Sequence, residues 1–522
     1  MHIPGLIYLL GALLLVMTEK TKKQHLLAVI ISGIALICTF FLTPGSGYRI
    51  TFMQLNLQPV LINSVNRFVA VIFSLSGFFS LIYSYKIASK RNLKLILIYI
   101  GSSLMVILAG DLFTFYIFWE LMTVSSYFLI YNKNIPGLER RCYYYFIMHM
   151  VGGLALLWGI LLQYTNAGNL LLTNISHGIP FFMLAIGIKL AFIGLHTWLP
   201  KNYSQVNFYV SVVLSAFTTK AGVYAFYKLT GGLGLAYAGV LSALIGVIFA
   251  LRQTKARKLL SYHIISQVGY MIAGIGIGTA TGYAGGLFHL FNHILYKGLL
   301  FMVIGVVIYT TGEEDLSKLG GLAGKLPLTT TAGIIAALAI AGMPFFNGHI
   351  SKLIIKKSLN TPFLSWGLYI TGIGTSLSFI KFIYFTFFHK NLDIKLKKQP
   401  PLSMKLSMLI VSLTIILLGL KPLLLENLYN YNPGINYFRP LYIWQGFQPT
   451  LLAIPVFFIT YRIIIPRPHD RGQYPDLYSV LGRMFSTFGS YISNIHNGNL
   501  GRYIIWSLNT LAIIWLKIKF LF

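Results

Sequence analysis

Five ionisable residues stand where apolar sequence surrounds them on both sides. Glu120 lies in Phe118-Trp119-Glu120-Leu121-Met122, Lys189 in Gly187-Ile188-Lys189-Leu190 and Lys220 in Thr219-Lys220-Ala221-Gly222. Lys297 follows His289 and His293 at i+4 and i+8, which puts all three on roughly one helix face. Lys352 comes just after an interruption at Gly342-Met343-Pro344 and Asn347-Gly348. A buried lysine tends to lose its proton to desolvation, and a nearby carboxylate favours keeping it. A lysine with a movable acidic neighbour is therefore a bistable proton holder, and imidazoles, which titrate near neutrality, suit the gaps between such holders. The chemistry these types and spacings suggest is proton movement along a row.

Each residue also has a bland reading. A single intramembrane lysine can snorkel to the surface, a reading as good as the functional one for Lys352. A lone histidine on an apolar face, such as His289 taken by itself, is more often structural. Three costly groups on one face are harder to explain as packing. His196, His263 and His349 lie near span ends or breaks and read as structural or supporting residues, and His149, mid-span, is open to either reading.

Such residues need a bilayer-spanning scaffold to position them. The chain has 522 residues, 56% hydrophobic and only 10% charged, against about 25% charged in an average soluble domain. Apolar stretches near the roughly 20 residues a spanning helix needs recur throughout. They cover 3–18, 24–43, 66–84, 93–110, 112–131, 142–164, 179–199, 206–228, 232–251, 259–279, 283–310, 328–358, 363–388, 404–425 and 449–465, with a final apolar stretch at 503–522. In this frame Glu120 is about 12 Å into its helix at 1.5 Å per residue, near the midplane. Each charge at that depth costs at least ~2.5–3.5 kcal/mol on insertion scales and so needs a reason. His196-Thr197-Trp198-Leu199-Pro200 ends one apolar run as Gly342-Met343-Pro344 interrupts another. Paired interruptions in two halves of a transporter point to an ion site.

The net charge of +30 is topological. Loops after spans one, three, five and nine carry Lys20/Lys22/Lys23, Lys86/Lys90/Arg91, Lys133/Arg140/Arg141 and Arg252/Lys255/Arg257/Lys258, whereas those after two, four, six and ten are nearly free of Lys and Arg. By the positive-inside rule the odd-numbered loops are cytoplasmic and the N-terminus is outside. A nucleic-acid partner is not indicated. Met1-His2-Ile3-Pro4 lacks the basic region of a cleavable signal, so the first span is expected to be retained. Cys38 and Cys142 are isolated thiols, too few for a disulfide framework, a four-cysteine zinc site or an iron–sulfur cluster. With no phosphate loop or HExxH either, no cofactor or metal is expected in this chain. Apolar residues at helical spacing between Asp476 and Asn494 suggest an interfacial amphipathic helix or a partner surface.

Six ordered segments resemble a known family: FWELMTVSSYFLI from Phe118, KLAFIGLHTWLP from Lys189, VSVVLSAFTTKAGVY from Val210, RKLLSYHIISQVGY from Arg257, HLFNHILYKGLLF from His289 and AGMPFFNGHISK from Ala341. They are similar to the antiporter-like, proton-translocating membrane subunits of respiratory complex I, Mrp-type Na+/H+ antiporters and membrane-bound energy-converting hydrogenases. The resemblance spans roughly residues 60–390. It implies an all-α polytopic fold of about fourteen core helices, with two inverted five-helix repeats that each hold a broken helix, plus one or two extra C-terminal helices.

By motif position, the resemblance implies that Glu120 is the acidic partner of Lys189 and that Lys220 is the central bridging lysine. It places His289, His293 and Lys297 on the relay helix and makes Lys352 the terminal group facing the exit or the next subunit. Gly194-Leu195-His196 and Lys201 depart from the family's usual Pro-Phe-His and acidic residue around Trp-Leu-Pro.

The expected organisation is N-terminal helices over 1–110, a translocation core over 111–390 and C-terminal helices over 391–522. The expected partners are other membrane subunits of a complex I-like, hydrogenase-type or Mrp-type assembly, the bilayer, and H+ alone or coupled to Na+. Energy would come from redox chemistry or an ion gradient in those partners. A stand-alone secondary transporter for a solute or cation is the alternative. The membrane expected is a prokaryotic plasma membrane.

Overall fold

The computed structural model describes residues 3–18, 23–52, 55–132, 138–173, 175–389 and 394–461. The sequence expectations at 476–494 and 503–522 lie outside them. Eighteen helices follow one another among the described residues. α1 is Pro4–Met17, α2 Gln24–Phe40, α3 Ser64–Tyr83, α4 Lys90–Leu108, α5 Leu112–Ile130 and α6 Leu138–Ala167. α7 (Ile179–Leu190) and α8 (Trp198–Tyr203) are two pieces of one crossing, followed by α9 Phe208–Thr230, α10 Ala236–Leu251, α11 Ala256–Gly276 and α12 Ala280–Thr311. α13 (Pro327–Ala341) and α14 (Asn347–Ser358) are again two pieces of one crossing. α15 is Pro362–Ile383, α16 Leu402–Leu420, α17 the short Leu423–Tyr429 and α18 Pro440–Ile459.

Local chemistry sets the boundaries. Asn63 and Asn66 form a reciprocal capping box at the start of α3, and Ser89, Asp111, Thr279 and Thr361 cap α4, α5, α12 and α15 through their side chains. Each satisfies a backbone donor that the first helical turn leaves unpaired. Proline sits at the first turn of α1, α7, α13, α15 and α18, where its missing N–H costs nothing. Small residues let helices approach closely: a Cβ at Gly239 or Gly269 would collide with the facing backbone of α11 or α10.

The chain is a multi-pass integral membrane protein. From α4 to α9 there are five crossings with the fourth broken, and from α10 to α15 there are five more with the fourth again broken. Because five is odd, the second set starts from the opposite side of the bilayer, and the repeats are inverted. α9 and α12 form the interior, with 94% and 89% of their apolar windows buried, against 22% for the added helix α18. These two interior helices carry Lys220, His289, His293 and Lys297.

Two features differ from the sequence reading. Residues between α2 and α3 form an antiparallel hairpin of β1 (Gly47–Phe52) and β2 (Leu55–Leu61). It is tied to the bundle by the Asp111 carboxylate, which accepts from Gln58 N at 2.8 Å and Thr114 N at 2.7 Å. The span expected at 449–465 begins at Pro440, because Pro449 and Pro455 are accommodated inside α18.

Candidate functional site

The two breaks shape the site. α7 ends at Ala191, whose φ of 56° is left-handed, and α13 ends at Gly342 (φ 87°) before Phe345 adopts a left-handed φ of 70°. A non-glycine residue in that region costs about 1–2 kcal/mol, and such strain concentrates at functional positions. The carbonyls freed by each break are taken up by side chains. Trp198 Nε1 donates to Ile188 O at 2.9 Å. Lys352 Nζ donates to Ile340 O at 2.7 Å and Ala341 O at 3.3 Å, so it reaches back to the break and does not snorkel outward.

Lys189 sits in the last turn of α7, beside the first break. Its Nζ donates to Thr123 Oγ1 at 2.9 Å and lies 4.5 Å from the Trp119 ring centroid. Glu120 projects from the same stretch of α5 within electrostatic range of Lys189. The two form no direct hydrogen-bonded ion pair, and neither Glu120 oxygen has a hydrogen-bond partner among the described residues. The carboxylate occupies the space left by Gly153 on α6, where any Cβ would overlap it.

The remaining sequence-predicted residues gather in the second half. Lys220 Nζ donates back to Ser215 O at 2.5 Å. His293 is within electrostatic range of Lys220, Lys297, His289 and His263. Among the described residues neither nitrogen of His293 has a hydrogen-bond partner, and nor does Lys297 Nζ, which lies 5.7 Å from the Phe379 ring. His289 meets Ser351 Oγ at 2.9 Å and Gln267 Oε1 at 3.2 Å, linking α12 to α14 and α11. Beside Lys189 and Lys220, α7 and α9 meet through Leu190, packed against Gly222. The seven residues thus form two groups, Glu120 with Lys189, and Lys220 through Lys352.

Two histidines join these groups that the sequence reading left as supporting or undecided. His263 on α11 is fully buried, pairs with Ser378 Oγ at 2.7 Å and is within range of both Lys297 and Lys352. His149 on α6 packs between Tyr145 (4.2 Å between centroids) and Trp198 (4.6 Å), within range of Lys189, with Nε2 unpartnered among the described residues. No local spacing signals either one, because their neighbours lie on other helices.

Burial grades the row. Lys189, Lys220, His263, His289, His293 and Lys297 are all within 1% of complete burial, whereas Glu120 and Lys352 are half-buried. The sealed groups lie inside, and Glu120 and Lys352 are the two that are partly accessible. The fold and the site together define a polytopic membrane protein with a line of ionisable groups through its interior.

Comparisons with known proteins agree with that class. Residues 109–379 match the family described as NADH:quinone oxidoreductase/Mrp antiporter, transmembrane, and the chain belongs to that family. It is 28% identical to "Putative antiporter subunit mnhA2" of Staphylococcus saprophyticus, over 88% of this chain and 67% of that one. It is also 28% identical to an uncharacterized protein of Methanocaldococcus jannaschii, over 80% of this chain and 95% of the other. In fold it resembles a chain of the archaeal membrane-bound sulfane sulfur reductase, a respiratory membrane complex, with TM-score 0.79, 23% identity and 99% of both chains covered. It also resembles a chain of the Mrp complex from Dietzia sp. DQ12-45-1b, with TM-score 0.83 and 21% identity, over 99% of this chain and 62% of that one.

Proposed function

We propose that this chain is the ion-translocating subunit of a multi-subunit membrane complex and moves H+, alone or coupled to Na+, along its interior row. The observation that carries the reading is the set of buried Lys220, His293 and Lys297 with no carboxylate neutralising them among the described residues. Buried charges of one sign raise each other's cost, so protons are held there one at a time and passed on. Glu120 sets the state of Lys189 by approaching or leaving it. Lys189 hands over to Lys220 across the Leu190–Gly222 packing through water or side-chain movement, and His293, Lys297 and His263 carry the proton to Lys352. This order makes Glu120 the group through which a neighbouring subunit acts.

The driving force comes from partners. The family membership and the naming of its relatives as antiporter subunits support other membrane subunits as those partners. The alternation of basic loops supports a prokaryotic plasma-membrane location with the N-terminus outside.

Purification of the tagged chain from its native membrane in mild detergent, with identification of co-purifying proteins, tests this. Subunits bearing iron–sulfur clusters would identify a redox-driven complex, in which Glu120→Gln should uncouple pumping from electron transfer. Only small membrane subunits would identify an antiporter driven by the gradient itself. A chain that purifies alone and still transports in liposomes would refute the complex-subunit reading in favour of a stand-alone transporter.

A further inference from the structure

Three cations converge at one end of the bundle. Lys356 and Lys357 lie in the last turn of α14, and Arg439 is the residue before α18. Lys357 Nζ lies 4.5 Å from the Tyr442 ring centroid and Arg439 Cζ 5.9 Å from the same centroid, so two positive charges share one ring. Lys356 Nζ donates to Gln445 Oε1 at 3.2 Å, one turn further along α18, and is within electrostatic range of Lys357. All three residues are exposed, and among the described residues none of them is paired with a carboxylate.

Helix geometry and topology leave the cluster unexplained. Lys356 and Lys357 suit the negative end of the α14 dipole, but Arg439 stands at the positive end of α18, where a cation is disfavoured unless an anion lies against it. This end follows the twelfth and fourteenth crossings. It is therefore opposite the basic loops after spans one, three, five and nine, on the side where loops are nearly free of Lys and Arg. Like charges gathered around one ring repel each other. A phosphate relieves that repulsion, because a guanidinium fork and ammonium groups donate to its oxygens.

The surroundings point to the molecule that carries the phosphate. Trp366 and Trp444 are exposed, each four residues past the first proline of its helix, about 6 Å in at 1.5 Å per residue. Tryptophan at such a depth marks the headgroup level of a bilayer. Exposed Ile370 on α15 and Leu451 on α18 continue the two apolar stripes toward the membrane interior. The first half of α18 has no fully buried residue, since only Ala453 and Phe457 are buried along its length. A cavity of about 80 Å³ lies between α14, α15 and α18, with Lys356, Tyr442 and Gln445 in its lining. At this end α18 thus meets α14 through the side chains of the cluster.

We propose that Lys356, Lys357 and Arg439 bind the phosphate of an anionic phospholipid in the leaflet opposite the basic loops, with its acyl chains along the Trp366–Ile370 and Trp444–Leu451 stripes. The bound headgroup neutralises the three charges and ties α18 to the end of α14. The site does not draw on the translocation reading; only its leaflet follows from the orientation of the basic loops.

The test uses the tagged chain with everything that co-purifies, reconstituted into phosphatidylcholine vesicles that hold a trace of phosphatidylglycerol carrying a photoactivatable group beside its phosphate. After illumination, label is expected within 356–366 and 436–446. Lys357→Gln/Arg439→Gln should lose that label roughly tenfold or more. Lys357→Arg/Arg439→Lys, which keeps both charges, should retain it, and Lys90→Gln/Arg91→Gln, in a basic loop on the opposite face, should leave it unchanged. Undiminished label in the neutralised variant, or equal label from a phosphatidylcholine probe of the same design, would overturn the site. Loss of label to added inorganic phosphate would assign the cluster to a free anion, and a chemical cross-link from Lys356 or Lys357 to a co-purifying subunit without lipid label would assign it to a protein; either result overturns the lipid. Labelling is read without transport, so a complex that moves no protons counts against the translocation reading alone.

Discussion

Gly153→Ala should damage transport without damaging the protein. Gly153 on α6 has its Cβ position filled by the Glu120 carboxylate, so an added methyl must push that carboxylate aside. The helix itself gains, since alanine is favoured over glycine in a helix interior by roughly 0.8–1 kcal/mol. The cost falls on the Glu120–Lys189 relation. For charges about 5 Å apart, about 2 Å of extra separation weakens the attraction by about 1 kcal/mol at an effective dielectric of about 20, roughly a fivefold shift in an equilibrium. Proton transport by vesicles holding the intact complex, normalised to chain content and set beside the chain's melting temperature, reads both effects. The expected result is a roughly fivefold loss of transport at unchanged or raised stability, with partial rescue by Glu120→Asp, whose shorter side chain clears the methyl. Wild-type transport by Gly153→Ala, beside a strong defect in Glu120→Gln, would refute the importance of the carboxylate's placement. Loss of the protein from the membrane would show that the glycine serves packing alone.

Other consequences follow from the same geometry. Lys297→Met should abolish transport while leaving melting temperature equal or higher, because a charge at the bilayer centre costs at least ~2.5–3.5 kcal/mol on insertion scales; thermal unfolding beside transport measures both. Thr123→Val removes the acceptor of Lys189 Nζ, and a hydrogen bond to a charged group is worth about 1.5–3 kcal/mol, so transport should fall by at least tenfold with the chain still assembled in its complex. Trp198→Phe removes one of the two donors to the Ile188 carbonyl at the first break and leaves Ala191 N at 3.1 Å, a loss of about 0.5–1.5 kcal/mol, and should lower both melting temperature and transport modestly. His263→Phe keeps the ring volume beside Phe379 but cannot bond Ser378. It should slow transport more than His196→Phe, whose ring packs near Phe249 and Tyr262 away from the row.

Much of the scaffold was legible in the chain because each crossing carries its own signal: an apolar run, a cap such as Asp111 or Thr279, and a proline or glycine at the break. The break at Gly342 was visible as Gly342-Met343-Pro344 in an otherwise apolar stretch, whereas the first was expected at His196–Pro200 and falls earlier, at Ala191, with Pro200 inside α8. Glu120, Lys189 and Lys220 stood out because a charge in such a run is costly wherever it points. Partnership was not legible. That Thr123 accepts from Lys189, that Gly153 makes room for Glu120 and that His263 lies within range of both Lys297 and Lys352 depend on how separate helices pack. The hairpin at 47–61 was missed because an exposed two-stranded ribbon leaves only a short alternation. The early start of α18 was missed because Pro449 reads locally as a breaker.

Lys220→Met in the intact, reconstituted complex tests most directly whether protons run through the interior row. Lys220 is wholly buried, so it can affect transport only from within. Internal acidification is followed with a trapped pH dye while the complex is driven by its own energy source. Loss of acidification with normal assembly is the expected result. Acidification at the wild-type rate would contradict the relay, since no proton could then be passing through Lys220.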